Sequence, residues 1–144
     1  MCLGPGGIVP RIMTRGCDGL SHARLRAYTR GMSCLFCRIV SGEIPAKKVF
    51  EDDDVVAFED INPQAPLHVL VVPRAHVATL NDLGGDHDRL VGVMVRRAAA
   101  IAEARGVSAR GYRTVFNCNG DAGQTVFHIH LHVLGGRTLA WPPG

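Results

Sequence analysis

Nothing in this 144-residue chain approaches the roughly 20 consecutive apolar residues that span a bilayer, so no membrane helix is expected. An even, regularly spaced set of cysteines is missing as well. The five are Cys2, Cys17, Cys34, Cys37 and Cys118, and only Cys34 and Cys37 form a C-x-x-C pair. That excludes a secreted disulfide framework and points to reduced thiols in a cytoplasmic compartment. Acid is nearly absent from the first 32 residues, where Asp18 stands alone against Arg11, Arg15, Arg24, Arg26 and Arg30. That segment is net +4, which leaves −1 for the remainder of a chain whose formal total is +3. A body with that balance gives no electrostatic case for a nucleic-acid partner. An internal repeat and an apolar signal-peptide core are also lacking.

What remains is an ordinary globular mixture, 47% hydrophobic and 20% charged, sized for one domain over residues 33–144. Residues 1–32 stand apart as a Gly- and Arg-rich extension. Three origins are open for it: a disordered tail, an organellar transit peptide, or an upstream start codon with Met32 as the natural beginning. A transit peptide would move the protein from the cytoplasm to an organelle.

From Ser33 the pattern is structured. Ser33 can cap a short helix that runs to about Val40 and ends at Ser41-Gly42. Val49–Glu51 and Val55–Glu59 flank three aspartates and read as a hairpin. Leu67–Val72 is an apolar strand stopped by Pro73. Asp86–Ala104 is the one long helix; Val91, Val93, Val95 and Ala102 widen its apolar stripe, so it should be buried on more than one side. A dimer interface or a deep monomer core would each supply that burial. Tyr112–Asn117 and Phe127–Leu134 are the last two strands. The fold class is α+β with a mainly antiparallel sheet.

His128, His130 and His132 alternate with Ile129, Leu131 and Val133. On a strand this period of two turns the imidazoles to one face and the aliphatic chains to the other. Three histidines on one face have little packing value. One chemistry is a catalytic metal site, disfavoured by the diverging i, i+2, i+4 positions and by the lack of a nearby carboxylate. The other is nucleophilic catalysis by a neutral imidazole whose second ring nitrogen donates to a backbone carbonyl. Gly123, Gln124 and Thr125 lie just upstream, and exposed amides in such a turn can hold anionic oxygens.

The run His128-Ile129-His130-Leu131-His132-Val133-Leu134 resembles the histidine triad signature. Asp60-Ile61-Asn62-Pro63-Gln64-Ala65-Pro66-Leu67-His68 and the Trp141-Pro142-Pro143-Gly144 ending are similar to its nucleotide-binding protein branch. The resemblance covers Ser33 to the end. It implies a five-stranded sheet with one long and one short helix, paired into a ten-stranded sheet in a homodimer. It implies hydrolysis of purine nucleoside phosphoramidates, and of acyl-adenylates, through a nucleotidyl-histidine intermediate on His130. His132 would contact the phosphate, with Asn117, Gly123, Gln124 and Thr125 around it. Phe36, Ile39, Phe58, Ile61 and Leu70 would surround the base, although on composition alone these five fit plain core better than a pocket. Asp60 would accept from the ribose hydroxyls, and Trp141 would reach toward the partner subunit's active site. No catalytic cofactor is implied.

Cys34 and Cys37 have zinc-ligand spacing but make only half a tetrahedral site. The resemblance to bacterial members implies structural zinc completed by His68 and His128. Without metal, His68 and His128 would form a hydrogen-bonded line behind His130. His22, His76 and His87 read as surface residues, and Cys118 as a buried strand thiol. Other functions stay open at this point: a non-catalytic nucleotide-binding scaffold, a dinucleoside polyphosphate hydrolase, and, ranked lower, a metallohydrolase.

Overall fold

The computed structural model describes residues 34–143. The 1–32 extension, with Cys2, Cys17 and His22, lies outside the described residues, as does the expected cap Ser33. The elements run α1 (Leu35–Val40), β1 (Lys48–Glu51), β2 (Val55–Glu59), β3 (Leu67–Pro73), α2 (Asp88–Ala104), β4 (Tyr112–Phe116) and β5 (Leu131–Gly135). Cys34 occupies the α1 N-cap position and makes no side-chain capping bond. Two single-turn 3-10 helices, Leu80–Asp82 and Gly85–His87, precede α2, which therefore starts two residues later than its periodicity suggests.

The strands form one fully antiparallel sheet in the order β1-β2-β3-β5-β4. Strand alternation divides its two faces. Val55, Ala57, Val69, Val71, Leu131 and Val133 point one way and pack with Val93, Met94, Ala98 and Ile101 of α2. Val56, Phe58, Leu70 and Val72 point the other way and pack with Phe36 and Ile39 of α1. β3 is central and buried along its whole length, which accounts for an apolar run interrupted only by His68. The buried side of α2 is a single face, while Val95 is 47% exposed, so one chain alone does not cover its wide stripe. This is the α+β architecture expected, with one long and one short helix.

The last strand is shorter than expected. It begins at Leu131, so only His132 of the three histidines sits in the ladder. Leu70 pairs with His132 and Val71 with Leu131, so continuing the ladder would set Val72 opposite His130 and then Pro73 opposite Ile129. Proline has no N–H to donate, and pairing stops there. Ile129 instead donates its N–H to Val77 O at 2.8 Å, beyond the strand end. The alternation survives this loss of ladder: Ile129 is still in the α2-side core.

Candidate active site and metal centre

His130 is anchored by its own neighbourhood. Its Nδ1–H donates to His128 O at 2.7 Å, which leaves Nε2 with a free lone pair. The residue is only 6% exposed, and the edge of the Phe36 ring meets it at 5.0 Å between centroids. Burial pushes its pKa down, opposed by the His128 carbonyl and by Asp60. The ring is therefore neutral near pH 7, in the tautomer a nucleophile needs.

A forced chain of hydrogen bonds settles the next tautomers. Gln64 N–H donates to His68 Nδ1 at 3.0 Å, and an amide can only donate. The His68 proton must then sit on Nε2, which lies 2.9 Å from His132 Nδ1 and 3.4 Å from Asp60 Oδ2. His132 consequently keeps its proton on Nε2. That Nε2 is buried and has no partner among the described residues. A buried donor left unpaired costs roughly 1–3 kcal/mol, which an anionic oxygen would recover. Burial, with His130 and His68 close by, pushes the His132 pKa to about 4, so it stays a neutral donor.

Beside these rings lies a cavity of about 550 Å³. Phe36, Ile39, Phe58, Asp60, Ile61, Leu70, Thr125, His130 and His132 all line it, as the sequence led us to expect. Ile61 stands fully exposed at its rim. Ile44, Ala46 and Lys47 line it too; no motif marks that loop, so sequence reasoning missed them.

Asn117, Gly123, Gln124 and Trp141 are not in the lining. Gln124 is buried, with Oε1 accepting from Asn119 N–H and Nε2 donating to Ala78 O and Val126 O. The amides of Gly123 and Gln124 are spent on Gly120 O and Asn119 O. The turn is thus held by the groups expected to hold phosphate, and Gly123 serves its φ of +78°. The Thr125 and Val126 amides, at the cavity, make no hydrogen bond among the described residues. Trp141 is 83% exposed on the terminal segment.

A second cluster lies on the far side of His128. Cys34, Cys37, His76 and His128 bring four ligand atoms within 4.8 Å of one another. His128 is fully buried and donates Nε2–H to Pro73 O at 2.9 Å, so its Nδ1 carries a lone pair into the cluster. That Nδ1 lies 3.6 Å from Cys34 Sγ, 3.4 Å from Cys37 Sγ and 3.2 Å from His76 Nδ1. Zinc–ligand bond lengths put tetrahedral S–N edges at about 3.6 Å and N–N edges at about 3.3 Å, so these residues fit the ion. Burial, with Cys34 alongside, raises the Cys37 thiol to about 11; metal would have to displace that proton.

The metal set expected from sequence is corrected in one member. His68 is not with the cysteines, because both its nitrogens are engaged with Gln64, His132 and Asp60. His76, exposed as the sequence reading had it, takes its place with Nδ1 at 3.3 Å from Cys37 Sγ. The two histidines flank opposite ends of β3, and only the end near Pro73 reaches α1. Cys118 is half-buried just past β4 rather than within a strand.

Comparison with known proteins bears on the family and the fold. Residues 33–139 match the family described as scavenger mRNA decapping enzyme C-term binding. The purine nucleoside phosphoramidase of Escherichia coli strain K12 is 47% identical over 105 residues, 73% of this chain and 88% of the relative. A HIT family hydrolase from Legionella pneumophila superposes with a TM-score of 0.77 at 54% identity, covering 78% of this chain and all of that one. A zinc-bound histidine triad family protein from Mycobacterium smegmatis superposes at 0.63 with 38% identity, covering 74% and 77%.

Proposed function

The chain belongs to the histidine triad family, and on that premise we propose that it hydrolyses purine nucleoside phosphoramidates, with His130 as nucleophile. The observation that carries this reading is the 2.7 Å bond from His130 Nδ1–H to the His128 carbonyl. It directs the Nε2 lone pair to the α-phosphorus of a nucleotide in the adjoining cavity. Attack forms a P–N bond to His130 and breaks the P–N bond to the amine, which takes a proton from solvent as it leaves. Water then cleaves the nucleotidyl-histidine and releases the monophosphate.

The remaining groups divide the work. His132 Nε2–H, with the Thr125 and Val126 amides, meets the charge on phosphate oxygens. Asp60 accepts from the ribose; its Oδ1 already takes the Asn62 N–H at 2.8 Å, and a carboxylate has capacity left. Phe36, Ile39, Phe58 and Leu70 hold the base. Acyl-adenylates present the same α-phosphorus to the same nucleophile.

Zinc, held by Cys34, Cys37, His76 and His128, would act as a structural clamp that joins α1 to the end of β3. We further infer a homodimer. The outer edge of β4 pairs with no described strand, and Val95 is exposed on α2. Joining two such edges would give a ten-stranded sheet.

The test is hydrolysis of an adenosine phosphoramidate by wild type and His130→Ala, with acid-quenched samples weighed by mass spectrometry. We expect turnover and a nucleotidylated protein in wild type alone. Equal turnover in both would remove the assignment. Nucleotide binding without turnover in wild type would make the protein a scaffold.

A further inference from the structure

Five arginines in the described residues meet a carboxylate: Arg38 with Glu43, Arg74 with Glu51, Arg89 with Asp54, Arg97 with Asp52 and Arg105 with Glu59. Arg110, Arg113 and Arg137 meet none among these residues, and all three line one cavity of about 410 Å³. It lies where β4 begins and β5 ends, the opposite end of β5 from His130. The rest of its wall includes Tyr112, Thr138 and Gly111, and no acid.

Neutral acceptors hold two of the guanidinium groups in place. Arg137 donates Nε–H and Nη2–H to Gln64 O at 3.3 and 3.1 Å, and Nη1–H to Thr138 O at 2.9 Å. Arg113 donates Nη2–H to Ala140 O at 2.7 Å. Carbonyls order these side chains without cancelling their charge. Arg110, the Tyr112 phenol and the Thr138 hydroxyl make no side-chain hydrogen bond among the described residues. A Cβ on Gly111 would meet nothing within 4 Å, so the backbone there is open to a ligand. Three like charges around one cavity repel until an anion enters, and guanidinium forks match phosphate oxygens two at a time.

We propose that this cavity is a second ligand site, separate from the His130 pocket, that binds the phosphoryl group of a small phosphorylated molecule. It stands on its own observations and does not need the hydrolase reading; because Tyr112 and Arg113 open β4, whose outer edge the proposed dimer would use, the site is tested in the assembly the chain forms in solution. The test is a titration of the full chain with inorganic pyrophosphate at low salt, followed by amide chemical shifts. Saturable shifts should appear at Tyr112, Gly136 and Thr138, apart from any at Thr125 and His130.

Arg110→Ala should weaken that binding about tenfold, the loss of one charge-assisted contact, while phosphoramidate hydrolysis is unchanged. Arg110→Lys should restore part of it. Arg96→Ala, which removes an exposed arginine of α2 outside the cavity, should bind as wild type. The proposal fails if shifts occur only around Thr125 and His130. It fails equally if Arg110→Ala binds pyrophosphate as tightly as wild type, or if malonate binds as well as pyrophosphate.

Discussion

His128 and His132 are two residues to either side of His130, are both pushed to pKa values of about 4 by burial, and serve opposite ends of the site. His132 belongs to a relay of Gln64, His68 and Asp60 in which every partner is an amide, an imidazole or a carboxylate. His128 belongs to a cluster of two thiols and a second imidazole. What separates them is the partner of the other ring nitrogen. The Pro73 carbonyl takes the His128 proton and frees a lone pair for metal. His68 donates to His132 and leaves it a proton to give. One residue type thereby offers a lone pair on one side of His130 and a donor on the other.

The comparison breaks most sharply at its shared member. His130→Ala should lower kcat by roughly 10³-fold or more while nucleotide binding, measured by calorimetry, persists. The two clusters should then separate. His76→Ala and Cys37→Ser should lose zinc on metal analysis of freshly purified protein, whereas His68→Ala should retain it. His68→Ala should lower kcat by roughly 10- to 100-fold, through the lost orientation of His132. Zinc loss in His68→Ala with retention in His76→Ala would restore the ligand set expected from sequence.

Stability against pH comes next in size. Unfolded histidine takes up a proton near 6.5, while folded His132 resists until about 4. The neutral ring's contribution is whole above pH 6.5 and is lost as pH falls from there to about 4, on the order of 3 kcal/mol at most. Urea unfolding at pH 7 and pH 4.5 measures it together with the like contribution of His128, and His132→Gln should reduce the difference. The smallest effect is expected from Thr125→Ser, which keeps the hydroxyl and should change kcat/KM by less than about threefold.

The sequence pattern was most legible where strand period ruled. Ile129, Leu131 and Val133 alternate into one core, and the apolar residues of α1, β2 and β3 that resembled a base pocket do line one cavity. The end of the β5 ladder was less legible, because it depends on Pro73 arriving opposite Ile129 from a strand more than fifty residues earlier. The 123–125 turn was less legible for a related reason. Glycine, glutamine and threonine in series advertise donors, but the Gln124 amide is engaged with Asn119, Ala78 and Val126, and of the three only Thr125 lines the cavity.

By itself, the sequence determined the fold class and the family and singled out His130 as the candidate nucleophile, since alternation and the spacing of His128, His130 and His132 are local properties of the chain. Only the tertiary structure decided which histidine joins the cysteines and which stands behind His132. Those assignments depend on where the two ends of β3 lie relative to α1 and β5, and on which atoms already hold each ring proton.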